Sequence, residues 1–369
     1  MPCHPIRDAI VDATHANDAT PDAIDARADA APPACPPWDE IVDGSQCFRL
    51  AGAVCHRGAP FDCCGATHPG ERTCTCAANT WRCVDEVAAC EGDPAIGACG
   101  ARTRICDRWR AARLLTDPIE VWTGDFDRCI ADDMSDRWRD DTLEVINTVR
   151  LIAGVPPVTR APALDLLAQH CALAVFWHGT EDHHLDPDTP CYSPLTAEGV
   201  LESLINLQPA IASVPTYMID PDVPSLVHRL YLLAPQLGPV GIGSTDRSSC
   251  VHVFDDRGDP DEPAFVAWPA PGAFPVDAAF TGFGGWTVQS NVVNLTRAVV
   301  RVSVDGVALP VEARALAAPG AAGWAIAFVP GDGQLEAGRR YRVEVDGGLR
   351  RGEPVAFDYT VEAVDCDAP

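Results

Sequence analysis

The chain contains no lysine. All 27 of its basic residues are arginine, set against 53 aspartates and glutamates, for a net charge of −26. So acidic a surface repels phosphate, which excludes nucleic acid and anionic membrane as partners and favours cationic partners or divalent metal. Long apolar runs are missing as well. No stretch approaches the roughly 18–20 residues of a membrane-spanning helix, so no transmembrane segment is expected. Two catalytic signatures are absent: there is no HExxH helix and no G-x-S-x-G elbow. The start, Met1-Pro2-Cys3-His4, has neither the basic head nor the apolar core of a signal peptide.

Cysteine is abundant instead, at 17 residues, ten of them between Cys35 and Cys99. Thiols stay reduced in the cytosol, so this density implies an oxidising compartment. Zinc knuckles are the competing explanation, but Cys63-Cys64 and Cys74-x-Cys76 are spaced too tightly for paired CxxC motifs. Disulfides and an extracellular or cell-surface location are therefore expected. That expectation conflicts with the missing export signal, and the simplest resolution is a truncated or misplaced start. Cys3, the odd cysteine out, is then a candidate lipid anchor.

Five segments follow from composition and periodicity. Residues 1–34 form an Asp/Ala-rich spacer: 15 of the 24 residues from 8 to 31 are Asp or Ala, too few large apolar groups to offset ordering entropy. Residues 35–100 form a disulfide-rich module in which five bridges substitute for a core. Residues 101–138 are a short helical or irregular lead-in, closed by a Cys106–Cys129 bridge. Residues 139–258 mix helices with a few strands. One helix carries the stripe Leu143, Ile146, Val149, Ile152 and stops at Gly154; a second starts at Pro162. A third covers 196–206, and a fourth runs from an N-cap at Ser225 to Leu233. Strands are expected at 240–243 and 250–254. Residues 264–369 alternate with period 2, as in Val300, Val302, Val304, then Tyr341, Val343, Val345, then Phe357, Tyr359, Val361. Asp305-Gly306 and Asp346-Gly347 mark turns, and an immunoglobulin-like β-sandwich is expected. The fold class is α+β.

Potential chemistry concentrates between Cys171 and Gly243, where four of the ten histidines lie among acids. The candidate cleft residues are His183, His184, Glu198, Glu202, Ser203, His228 and His252. Glu198 and Glu202 share a helix face by i, i+4 spacing. His252 points away from Val251 and Val253 by strand parity. Two imidazoles and a carboxylate can hold zinc with an open position that activates water; His184 and His228 are the candidate ligands. A Ser203, His228, Asp220 triad lacks its elbow. Cys171 and Cys191 flank the histidine loop and are expected to bridge, which leaves Cys250 to Cys366.

Several motifs in order give residues 141–254 a resemblance. They are Asn147-x-x-Arg150-x-x-x-Gly154 followed by Pro156-Pro157-Val158, then Leu166-x-x-x-His170-Cys171-Ala172, then His183-His184. After these come Tyr217 with Asp220-Pro221, His228-Arg229-x-x-x-Leu233-x-Pro235, and Gly241-Ile242-Gly243. Together they resemble the CAP superfamily of cysteine-rich secretory, antigen 5 and pathogenesis-related proteins, in its bacterial secreted form. The resemblance implies a CAP-type α-β-α sandwich with a cleft of two His and two Glu that binds zinc in several members. The acids depart from that pattern. Aligning Ser203-Leu204-Ile205 with the family's Glu-Asn-Ile puts serine at the acidic position, and neither Asp220 nor Asp222 lies at the second acid's usual offset. A non-enzymatic binding protein for a small ligand, lipid, glycan or protein partner is therefore favoured over a divalent-metal-dependent hydrolase or peptidase.

Overall fold

A computed structural model describes residues 35–368 apart from 38–39, 44, 48–49, 51–52, 59–60, 64–65, 69–71, 78, 86–93, 119–121, 180–181, 222, 255–262, 280–283 and 317–322. The expected spacer and Cys3 lie outside the described residues, as do Cys64, Cys90 and Asp222. The fold is mixed α and β with several sheets, in two compact units: a smaller one up to Gly100 and a larger one from Ala101 to Asp367.

The smaller unit has few aliphatic side chains, and covalent bonds take over part of the work of a core. Strands β1 (Val54–Arg57), β4 (Arg72–Ala77) and β5 (Thr80–Asp85) form an antiparallel sheet in the order β1-β4-β5, while β2 (Phe61–Cys63) and β3 (Ala66–His68) form a hairpin. Cys74 faces Cys83 across β4 and β5 and is bonded to it; Cys35–Cys55 and Cys47–Cys76 tie the flanking segment to the sheet. Trp81 packs among these cysteines, almost fully buried.

The larger unit begins within α1 (Pro94–Ala112) and continues with α2 (Asp136–Ile152) and α3 (Pro162–His178). Both expected features of the second and third helices are present: Ile146, Val149 and Ile152 are buried on one stripe, and Pro162 occupies the first turn of α3. The motif residues at the end of α2 have mechanical roles. Asn147 clamps Val158 twice, Nδ2 donating to its carbonyl at 3.0 Å and Oδ1 accepting its N–H at 2.8 Å. Arg150 donates to the carbonyls of Pro156, Leu232 and Ala234. Gly154 makes the left-handed turn at φ 71° that lets the chain reverse. Burial pushes the Arg150 guanidinium down to about 10.

Three short strands follow: β6 (Ser203–Asn206), β7 (Gly241–Ser244) and β8 (Ser249–His252), in the order β6-β8-β7. Helices cover both faces. On one side α3 and α4 (Pro194–Leu201) enclose Ile205 and Cys250. On the other, α2, α5 (Ala210–Ile219) and α6 (Val227–Leu232) cover Leu204, Val251 and Ile242. Gly241 and Gly243 explain how closely α3 approaches: a Cβ on either would fall 2.1 Å from the Leu164 carbonyl oxygen or 2.2 Å from the Ala168 backbone.

Two larger sheets complete the unit. One orders β10 (Gly272–Pro275), β17 (Glu353–Val364), β16 (Arg340–Arg350), β12 (Val299–Val304) and β13 (Val307–Leu309); the other orders β14 (Val311–Leu316), β15 (Trp324–Pro330), β11 (Trp286–Ser290) and β9 (Val266–Trp268). Their inward residues share one core, with Trp286 edge-on to Tyr341 at 5.6 Å. The same apolar cluster continues without a break into α1, α2 and α5.

Five expectations are corrected. The stretch 196–206 is not one helix: α4 ends at Leu201 and the chain turns into β6, because Ile205 must join the sheet under α3. Between β6 and α6 lies the unforeseen α5, whose apolar run is interrupted on paper by Pro215 but continuous in space. Asp346-Gly347 is a bulge inside an eleven-residue strand; the turn is Arg351-Gly352, with both φ values positive. Asp305-Gly306 does form the expected two-residue turn. All three bridges expected in this region are re-paired: the bonds are Cys106–Cys366, Cys129–Cys191 and Cys171–Cys250, not Cys106–Cys129, Cys171–Cys191 and Cys250–Cys366. Cys171 and Cys250 meet because β8 packs on α3. Cys106 meets Cys366 because α1 docks on the chain's end, where Arg110 donates to the Cys366 carbonyl and Arg113 pairs with Asp367.

Peptide mapping without reduction is expected to recover Cys106 linked to Cys366. Replacing that pair by serines is expected to cost about 2–5 kcal/mol in urea unfolding. Recovery of Cys106 linked to Cys129 contradicts the fold.

Candidate functional site

The described candidate residues separate into four local arrangements. His184 is largely exposed, with Nδ1 3.6 Å from Asp182. His183 is half-buried and its Nδ1 lies 3.0 Å from the Val200 carbonyl oxygen, which fixes the histidine loop to α4. Glu198 is exposed on α4. Glu202 is the residue that caps α4, its N–H donating to the Glu198 carbonyl at 3.1 Å. Its carboxylate lies 3.8 Å from His252 Nε2.

The third arrangement grows out of that strand. Ser203 and Gly241 are the register partners of His252 on either side. By strand parity all three side-chain positions share the face that carries Cys250, towards α3. The Ser203 hydroxyl is buried without a hydrogen-bond partner among the described residues. It is not bonded to His228, so the triad geometry is not formed.

The fourth is the most completely enclosed. Asp220 ends α5 in a left-handed conformation and is 2% exposed. One carboxylate oxygen meets His228 Nδ1 at 2.7 Å; the other accepts the backbone N–H of His228 at 3.0 Å. Helix α6 starts at Leu226, which offers no side-chain cap, and Ser225 does not act as one. Asp220 therefore supplies from eight residues away the acceptor that a helix start needs. The imidazole is held from the side by Tyr217, 5.4 Å between ring centroids, and Tyr217 is anchored by its hydroxyl donating to the Leu204 carbonyl at 3.0 Å. Next in sequence, Arg229 is fully buried and donates to the carbonyls of Met218 and Gly285; burial pushes its guanidinium down to about 10, with Asp220 opposing.

His184 and His228 thus have separate partners. Among the described residues no group of three or more His, Cys, Asp or Glu side chains lies close enough to hold a metal ion.

A different site has a shape suited to a ligand. A cavity of about 540 Å³ lies between α1, α2 and α5, walled by Trp109, Val145, Val149, Ile211 and Val214. That is within the ~300–1,000 Å³ range of small-molecule sites. Its carboxylates are already matched. Asp117 accepts the Trp138 indole N–H at 2.7 Å and the Ile211 and Ala212 backbone N–H groups at 2.8 Å, capping α5. Asp277 accepts the Trp109 indole N–H and Arg113, both at 2.8 Å. What remains facing the cavity is mainly hydrocarbon. Sequence reasoning missed these residues; the available signal was the pair Trp109 and Trp138 in a segment too short to bury them alone.

Comparison with models of known protein families finds no match, and comparison with curated proteins finds none.

If Asp220 and His228 act as one unit, their losses are not additive. Asp220→Ala is expected to destabilise by about 2–4 kcal/mol, since buried N–H donors lose their acceptor. Adding His228→Ala is expected to cost less than it does alone, with a coupling of about 1–3 kcal/mol in a double-mutant cycle. Additive losses would show that the pair is incidental.

Proposed function

We propose that this is an extracellular, non-enzymatic binding protein with a CAP-like domain over residues 141–254, and that it holds a small apolar ligand in the cavity between α1, α2 and α5. The cavity carries the proposal: it is lined mainly by aliphatic and indole side chains, and its carboxylates are occupied by N–H donors. Desolvating an apolar ligand there stabilises by roughly 25 cal/mol per Å² without breaking a polar contact.

Three observations support the CAP-like part. Helices lie on both faces of a three-stranded sheet. The Asn147, Arg150, Gly154 set builds the turn after α2. Glycines 241 and 243 lie directly beneath a helix. The two packed sheets after residue 264 fit an immunoglobulin-like scaffold, and no described helix is long and apolar enough to cross a membrane. The six disulfides among the described residues favour an oxidising location. A metal-dependent hydrolase finds no convergent ligand set among the described residues, and no observation favours it.

Ala212 lines the cavity and is only half-buried, so a larger side chain there fills the space at little cost to the core. An apolar fluorescent probe such as 1-N-phenylnaphthylamine is expected to bind saturably to the wild-type chain. Ala212→Trp is expected to lose at least about tenfold in affinity, a change of about 1.4 kcal/mol, with its melting temperature kept. Unchanged affinity in a folded Ala212→Trp variant removes the cavity as the site.

A further inference from the structure

A second pocket lies outside both arrangements described above. Trp122, Phe126, Phe176 and Trp177 line an open cavity of about 430 Å³ together with Asp125 and Asp127. The rings form a chain: Trp122 to Phe126 at 4.4 Å, Phe126 stacked on Phe176 at 3.6 Å, Phe176 edge-on to Trp177 at 5.5 Å.

The aromatic set is fixed before any ligand arrives. Trp122 donates its indole N–H to the Ala131 carbonyl at 2.7 Å, and Trp177 donates to the Phe126 carbonyl at 3.1 Å. The loop between them closes through an Asp125–Ile130 bridge and is bonded to the rest of the unit by Cys129–Cys191. Gly124 is required there, because a Cβ would fall 2.1 Å from the Trp122 ring. Such rigidity is costly to build for a surface loop and reduces the entropy lost on binding.

The charge of the lining selects the ligand. Aromatic faces carry negative electrostatic potential and attract cations. Asp125 orders the loop by accepting the N–H groups of Asp127 and Arg128 and has Arg128 only at 3.7 Å on an exposed edge. Asp127 is exposed and its carboxylate has no ion pair among the described residues. The same ring system already accepts a cation from the protein itself, the Arg247 guanidinium 5.3 Å from the centre of Phe176. The chain's net charge of −26 adds a long-range field of the right sign.

We propose that this pocket binds a small organic cation of the quaternary-ammonium class, its methyl groups on the rings and its charge balanced by Asp127. Choline and its neutral isostere 3,3-dimethylbutan-1-ol test this on the full chain, by saturation-transfer NMR titration, with methyl glucoside as a third probe. Choline is expected to bind saturably and about tenfold more tightly than the isostere. Trp177→Ala is expected to abolish the preference. Asp127→Asn, which removes charge from a side chain with no structural bond, is expected to weaken choline about threefold or more while leaving the isostere unchanged. The second variant decides the matter if the first fails to fold. The proposal is overturned if choline does not saturate, if isostere or glucoside binds as well, or if Asp127→Asn binds choline as the wild type does.

Discussion

Neither α5 nor α6 brings its own side-chain cap. Pro209 and Leu226 stand at the cap positions and offer no side-chain acceptor. Buried N–H groups left unsatisfied cost about 1–3 kcal/mol each, so the acceptors must come from elsewhere. Asp117 reaches α5 from 94 residues away and Asp220 reaches α6 from the preceding turn. Much else depends on these two carboxylates. Asp117 fixes the wall of the apolar cavity and holds Trp138. Asp220 fixes the ring of His228 and closes the loop between the helices. Arg139, Arg150 and Arg229 do the complementary work for carbonyls, which is how a chain without lysine buries three cations among the described residues. Arginine's planar fork can satisfy several acceptors at once.

This economy decides what was legible in the sequence. Period-2 alternation identified β12, β16 and β17, because one face of each strand meets the core. Asn147, Arg150 and Gly154 stood out as a pattern because each performs a local task within a dozen residues. Helix α5 was hidden, since Pro215 interrupts the helical signal while leaving the fold intact: the surrounding core compensates for the lost hydrogen bond. The two Asp-Gly and Arg-Gly dipeptides show a similar ambiguity. Positive φ serves a turn at 305–306 and a bulge at 346–347, and only strand pairing distinguishes them.

Cysteine pairing and the sites were less legible for one reason: both depend on distant segments. Loop entropy favours near neighbours, which made Cys106–Cys129 and Cys171–Cys191 attractive, yet the bonds span 260 and 79 residues because α1 docks on the chain's end and β8 on α3. The histidines were visible as residues, but their partners were not. Asp220 serves His228 through its place at the end of α5, and Glu202 serves His252 through the strand that follows it. The cavity left only the indirect signal of Trp109 and Trp138, since its walls unite Trp109 with Asp277, 168 positions apart.

His183 and His228 make bracing contacts within the fold, and the apolar hollow between α1, α2 and α5 is the site proposed for a ligand. The most direct measurement is photolabelling of the intact chain with a small apolar diazirine, followed by peptide mapping. The account predicts that label is recovered on the segments bearing Val149, Ile211 and Val214, and that unlabelled apolar ligand competes it away. Label concentrated on His183, His184 and Glu198, with those cavity segments unmodified, would contradict it.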